Sequence, residues 1–349
     1  MHPLLAAFLV IMLTACSPGS KPTTALQAGG SVSPSTWQAF LADFVRDDGR
    51  VVDTGNQDIS HSEGQGYAML LAVAANDAQS FERIWNWTQN HLPLRAEGLF
   101  SWRWSPHTTP AVSDPNNASD GDLLIAWALA RASVRWQRDD YRKAAEALAR
   151  NLREHLVRQS AAGTVLLPGL EGFDHPGGLT INMAYWVFPA FDTMQQLDPS
   201  PAWEQLAQNG QRLINEALFG AHQLPADWLL INADGTLQLA PGKEPRFGFE
   251  AMRIPLYACW GGVDAPKLYA RLQLFWVCEK SPAWIDLKSG EEAPYGLTPG
   301  HVAIWKLMQH CLPEAWRENA IPVPDSNKDY YARVLMALSE LAANESARP

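Results

Sequence analysis

The sequence predicts an all-α protein in which an inner ring of helices is wrapped by an outer one. Helical periodicity recurs about eleven times between residue 36 and the C-terminal region of the 349-residue chain, and a twelfth helix is easily missed. Several neighbouring helices alternate between apolar on most faces and amphipathic. An all-apolar helix needs protein on every side, whereas an amphipathic one can border water, so the alternation suggests a toroid of helix pairs. The segments joining the helices at 93–119, 160–182 and 220–248 are long and rich in Gly, Pro and Trp. Loops of that length in a compact domain are usually functional, and here they are expected to form a substrate cleft.

Taken in order, residues 1–16 form a targeting segment. Pro3 to Ala15 is an apolar run of export-signal length, too short to span a bilayer comfortably. It ends in Leu13-Thr14-Ala15-Cys16, similar to a bacterial lipoprotein box in which the Cys is lipidated after cleavage. The region before it carries His2 but no Lys or Arg, and an ordinary signal peptide cut nearby is the alternative. The expected location is therefore the periplasm, with a lipid anchor at Cys16 as the one membrane attachment, or the medium. Residues 17–34 have the Ser, Pro, Gly and Thr content of a flexible linker, and 35–345 are expected to form one domain.

After Ser35-Thr36, an N-cap pair, helices are expected over 36–46, 63–76, 78–92, 120–136, 139–158, 183–195, 200–219, 249–262, 265–277, 299–312 and 328–343. The stretches 63–76 and 120–136 are apolar nearly all round. By contrast, 78–92 and 139–158 carry a single stripe, the latter at 141, 145, 148, 152 and 156.

A net charge of −10 argues against nucleic acid or an anionic membrane as partner, since both demand a basic face. A neutral polymer suits it better. Fifteen Trp fit either a Trp-rich core or a sugar groove, where an indole offers a flat apolar face and a polar edge. Beyond Cys16, Cys259, Cys278 and Cys311 sit in apolar contexts without metal spacing, so buried free thiols are expected. One disulfide is the alternative, with its pair unassigned.

Two segments carry candidate chemistry. In His61-Ser62-Glu63-Gly64-Gln65-Gly66-Tyr67 a carboxylate stands at the mouth of a mostly apolar helix, flanked by glycines that let a ligand approach the backbone. A helix-start Glu held by the macrodipole would look the same. A general acid needs its pKa raised, so burial and a second carboxylate would have to outweigh the helix terminus. In Ala118-Ser119-Asp120-Gly121-Asp122 two acids open another apolar helix. Capping explains one acid equally well, and D-x-D can hold a divalent metal, but no further acid cluster lies beside it.

Ala118 to Asp122, followed by Ile125-Ala126-Trp127-Ala128-Leu129, resembles a signature of glycoside hydrolase family 8 over more than ten positions. Ser62 to Met69 resembles the family's other signature, at the expected distance upstream. Further matches are Leu167-Pro168-Gly169, Asn182-Met183-Ala184-Tyr185-Trp186, Pro225-Ala226-Asp227-Trp228, Phe249 to Pro255 and Asp329-Tyr330-Tyr331, so the resemblance runs from about 36 to 343.

This resemblance implies an (α/α)6 barrel that cleaves β-1,4-glucan with inversion, without cofactor or metal. Glu63 falls on the proton donor and Asp120 on the acid traditionally labelled the nucleophile. Inversion forms no covalent intermediate, so Asp120 is read as holding the −1 sugar in a distorted ring. The water-activating residue must lie across the sugar, with carboxyls roughly 6.5–9.5 Å apart. The chain departs from the family there: Glu250 stands where Asp is expected before Ala251-Met252-Arg253. Glu250 is the candidate base; a simple ion pair with Arg253 at i,i+3 is the alternative. For substrate binding the expectations are Tyr67, Trp102, Tyr185 and Trp228, Asp227 as hydroxyl acceptor, and Arg253 orienting the base. Trp85, Trp87 and Trp203 are expected in outer-ring packing.

The Leu167, Asn182 and Phe249 blocks resemble the bacterial cellulose-biosynthesis glucanases. An export segment with one catalytic domain points the same way, toward trimming cellulose beside a synthesis and secretion complex. Chitosan, xylan or mixed-linkage glucan on the same fold, and a non-catalytic glycan-binding lipoprotein suggested by Glu250, are the competing readings.

Overall fold

A computed structural model of the chain describes residues 25–92, 95–314, 317, 320–324 and 329–346. The signal segment, Cys16 and residues 17–24 lie outside it. Among the described residues there are eleven α-helices: α1 Pro34–Phe44, α2 Ser62–Ala74, α3 Ala78–His91, α4 Ser119–Trp136, α5 Asp139–Leu156, α6 Phe188–Leu197, α7 Pro201–Glu216, α8 Ile254–Trp260, α9 Pro266–Phe275, α10 Pro299–Cys311 and α11 Tyr330–Ser346. None is long and apolar enough to cross a membrane.

The expected two rings are present. Helices α2, α4, α6, α8, α10 and α11 touch in that order and α11 returns to α2, which closes the inner ring. Helix α3 packs outside on α2, α5 on α4, α7 on α6, and α1 on α11, giving the (α/α)6 architecture. Twelve of the thirteen residues of α2 are buried, as its unbroken apolar run requires. In α5 the buried set includes Tyr141, Ala145, Leu148, Leu152 and Leu156, the stripe expected from sequence. Trp85, Trp87 and Trp203 are core residues of α3 and α7.

Local chemistry sets the helix starts. Ser33 caps α1, its hydroxyl accepting from Thr36 N–H with Pro34 in the first turn, so the cap precedes the expected Ser35-Thr36 pair. Asp77 caps α3 and Ser200 caps α7 in the same way. Residues 25–33, assigned to the flexible linker by sequence, are instead tied down. Gly30 N–H donates to Glu345 and Ser33 N–H to Glu340, both at 2.5 Å, and Val32 is buried. Glu345 also takes both ends of the Arg131 guanidinium, at 2.7 and 2.9 Å, which sews the N-terminal segment to α4 and α11.

Short strands occupy the expected loops. Leu237–Leu239, Leu229–Asn232, Gly178–Ile181 and Asp174–His175 form one antiparallel sheet in that order. Val157–Ser160 pairs with Gly163–Leu166, and Ser60–His61 with Arg103–Trp104. Two expected helices are shorter for a related reason. Over 183–195 the chain makes a 3-10 turn, Met183–Tyr185, and restarts at Phe188 with Pro189 in its first turn. Over 249–262 a 3-10 turn, Ala251–Arg253, precedes α8, which has Pro255 near its start. The cysteines also differ from expectation: Cys259 and Cys311 form a disulfide between α8 and α10, and Cys278 is the free, half-buried one among the described residues. The fold brings the Cα atoms of positions 259 and 311 to 5.7 Å, within bonding range, which their sequence contexts do not reveal.

Candidate active site

The N-terminal ends of α2, α4 and α11 and the turns before α6 and α8 line a cleft of about 440 Å³. Glu63 from the first turn of α2, Asp120 from the first turn of α4 and Glu250 from the turn before α8 all line it. Close packing of α2 on α4 sets the first two side by side. A Cβ on Gly121 would lie 2.1 Å from Ser62 Oγ and 2.8 Å from the Glu63 backbone nitrogen, so only glycine fits there.

Arg253 joins the three acids. Its side chain is 3% exposed. Nη1 contacts Glu63 Oε1 and, at 3.3 Å, Asp120 Oδ2, while Nη2 donates to Glu250 Oε2. The i,i+3 pair between Glu250 and Arg253 is therefore real, yet it does not remove Glu250 from the cleft. Glu250 also accepts from Asn182 Nδ2 at 3.2 Å.

Two of the three carboxyls in this cleft are pushed upward. Burial pushes Asp120 up to about 7, against the pull of the Gly121 N–H and the nearby His61. At Asp120, in the first turn of α4, burial outweighs the helix terminus. Surrounding protein pushes Glu250 up to about 8, with like charge from Asp227 and Asp120 adding to it. Asp122, fully buried and pushed up to about 7 by burial, accepts from Phe100 N–H and Asn117 Nδ2, both at 2.9 Å. It organises the loop ahead of α4 and faces no cleft.

The expected substrate-binding residues divide. Trp102 and Tyr185 line the cleft, and the Trp102 indole N–H is held by Asp114 Oδ2 at 2.8 Å. Trp228 lies beside it, edge-on to Tyr185 with ring centres 5.9 Å apart and stacked on Phe173, with the Lys243 ammonium 4.5 Å over its ring. Tyr67 is not a sugar platform. It is completely buried one turn after Glu63, donates to Glu63 Oε1 at 2.9 Å and shares a 2.8 Å hydrogen bond with Tyr257. Asp227 is buried and is not among the residues that line the cleft. Its Oδ1 accepts from Gly248 and Ala251 N–H at 3.0 and 2.8 Å, pinning the turn that presents Glu250.

Lining residues without an expected role are His61, Asp53, Phe249, Asp329 and Tyr331. Tyr331 donates to the Phe249 carbonyl and so braces the segment leading to Glu250. His61 and the Asp329-Tyr330-Tyr331 block stand inside or beside the matching segments, which was the available signal. Among the described residues no group of three or more His, Cys, Asp or Glu could hold a metal ion.

Three carboxyls converging on one guanidinium in an open cleft suit glycosidic chemistry, and comparison with known proteins agrees. The pattern of glycosyl hydrolases family 8 matches residues 12–345. The chain belongs to that family. A probable endoglucanase of Novacetimonas hansenii is 40% identical over 313 residues, covering 88% of this chain and 90% of the relative. Among solved structures, an endo-β-1,4-glucanase from Acetobacter xylinum superposes with a TM-score of 0.83 at 38% identity, covering 90% of this chain and 98% of that one. A family 8 endoglucanase from Klebsiella pneumoniae gives 0.82, also at 38% identity, covering 90% and 100%. The family 8 barrel accounts for the site's location: in this chain each catalytic candidate comes from the start of an inner helix or the turn before it.

Proposed function

We propose that this chain is an endo-β-1,4-glucanase that hydrolyses cellulose-type glucan with inversion of configuration. The observation that carries the reading is the convergence of Glu63, Asp120 and Glu250, from segments far apart in sequence, on one guanidinium in one cleft. Glu63 protonates the leaving oxygen. Glu250, held as a carboxylate by the Nη2 arm of Arg253 against the upward push of burial, takes a proton from the water that attacks the anomeric carbon. Asp120, buried between them, accepts hydroxyl hydrogen bonds from the −1 sugar and favours its distorted ring. Tyr67 and Arg253 orient Glu63; Asp227, Asn182 and Arg253 orient Glu250. Glu250 serves where Asp is usual because it remains at the cleft, which speaks against a binding protein without turnover.

Trp102, Tyr185 and Trp228 give a neutral sugar chain aromatic faces to lie on, and the net charge of −10 adds no attraction for anionic polymers. The cellulose-synthesis setting is supported by the Leu167, Asn182 and Phe249 blocks and by the apolar N-terminal segment ending at Cys16, which we read as an export and lipidation signal. The test is viscometry of soluble β-1,4-glucan. The wild-type chain lowers viscosity rapidly, and Glu63→Gln loses about 10²–10⁴-fold in rate, the usual contribution of a general acid. Full activity in Glu63→Gln would remove the proposal, and faster cleavage of chitosan or xylan would reassign the polymer.

A further inference from the structure

His61 stands two residues before Glu63 and lines the same cleft, yet the proposed hydrolysis uses carboxylates alone. Its ring is fixed on three sides. Nδ1 accepts from Gly64 N–H at 3.0 Å and so caps the first turn of α2. That bond leaves the ring proton on Nε2, which faces Asp53 Oδ2 at 3.4 Å. The ring edge meets Tyr330, with centroids 6.0 Å apart at 75°. Asp53 is itself anchored, its Oδ1 accepting from Gly55 N–H at 3.1 Å and its own N–H donating to Ile59 O at 2.9 Å.

Glu63 completes the geometry. Its Oε1 is taken by Tyr67 and Arg253, while Oε2 lies 3.8 Å from His61 Nδ1. Since Nδ1 already accepts from Gly64, neutral His61 has no proton to give Oε2. Oε2 is thereby left as the oxygen that carries the acid's own proton. An imidazole protonated at Nδ1 would do the reverse, giving up the Gly64 cap and pairing with Glu63 as a carboxylate. The other charged or titratable groups around the ring are Asp53, Glu63, Asp120 and Tyr330.

We propose that Asp53 and His61 are a positioning pair for the proton donor: Asp53 fixes the imidazole tautomer, and the imidazole caps α2 so that Glu63 Oε2 presents its proton to the glycosidic oxygen. This rests on Glu63 being the proton donor, and the experiment separates the two ideas. His61→Ala, His61→Asn, Asp53→Ala and Glu63→Gln are each assayed on cellopentaose and on 2,4-dinitrophenyl β-cellotrioside, whose phenolate departs without protonation. His61→Ala should lose about 10²-fold in kcat on cellopentaose, with KM within about threefold, while keeping near wild-type kcat on the activated substrate. His61→Asn, whose side-chain oxygen can accept from Gly64 N–H, should recover most of the loss, and Asp53→Ala should fall between. Unchanged kcat on cellopentaose in His61→Ala, equal losses on both substrates, or no recovery in His61→Asn would each overturn the positioning role. Full activity of Glu63→Gln on cellopentaose would instead remove the proton-donor assignment beneath it.

Discussion

Removing the disulfide between Cys259 and Cys311 is expected to weaken the barrel while leaving its chemistry intact. The bond joins α8 to the last residue of α10 and closes a loop with a sequence separation of 52. Chain-entropy arguments assign a closure of that length about 4 kcal/mol at 25 °C, and measured disulfides commonly deliver about 2–4. Cys259 is buried in the core and its sulfur lies 3.4 Å from the Leu307 carbonyl, so a small apolar replacement adds a minor cavity cost. Neither sulfur lines the catalytic cleft. Urea unfolding followed by Trp fluorescence should therefore place Cys259→Ala/Cys311→Ala about 2–4 kcal/mol below the oxidised protein, with unchanged kcat. On heating, the midpoint should fall by about 3–6 °C. Coincident unfolding curves, within about 0.5 kcal/mol, would refute the closure argument.

Two further outcomes follow from the α2–α4 junction. Asp122 is pushed up to about 7 by burial, so its folded pKa exceeds its unfolded one. Its protonated form contributes stability that is complete below about pH 4 and lost as pH rises through about 7, at about 1.4 kcal/mol per unit. Denaturation at pH 5 and pH 8 should show this loss added to the shares of Asp120 and Glu250, and Asp122→Asn should lessen the slope by the Asp122 share; an unaltered slope in the variant would remove Asp122 as a cause. Gly121→Ala should force α2 and α4 apart, because the new Cβ meets Ser62 and the Glu63 backbone. The expected readout is a loss of about 1–3 kcal/mol in stability and about 10²-fold in kcat, and a variant with wild-type kcat would show that Glu63–Asp120 spacing is not critical.

The helical frame was legible because burial of a helix writes a long periodic pattern. The stripe of α5 and the continuous apolarity of α2 and α4 assign each helix to its ring without any knowledge of contacts. The strands were not legible. Gly178–Ile181 finds its partner in Leu229–Asn232, and segments of four residues paired across so long a stretch leave no local period. The disulfide was hidden for the same reason, since only the closed ring brings α8 to α10.

At the site, the carboxylates stood out because each opens an inner helix or its preceding turn inside an otherwise apolar context. Roles that depend on direction did not. Tyr67 follows Glu63 by four residues, so its hydroxyl on the same helix face was there to be read as a Glu63 partner. Asp227 looked free until two backbone N–H groups, from a turn more than twenty residues later, claimed one of its oxygens. His61 looked like a flanking residue because its value lies in a local cap and in Asp53, which reaches it across the 53–59 turn.

In the proposed mechanism, catalysis turns on Glu63 and Glu250 flanking one glycosidic bond with room for a single water. Proton NMR of cellopentaose hydrolysis, recorded before mutarotation, reads that arrangement directly. With the two carboxyls so placed, the α-anomer of the new reducing end appears first. First appearance of the β-anomer would contradict the arrangement, together with the roles given to all three carboxylates.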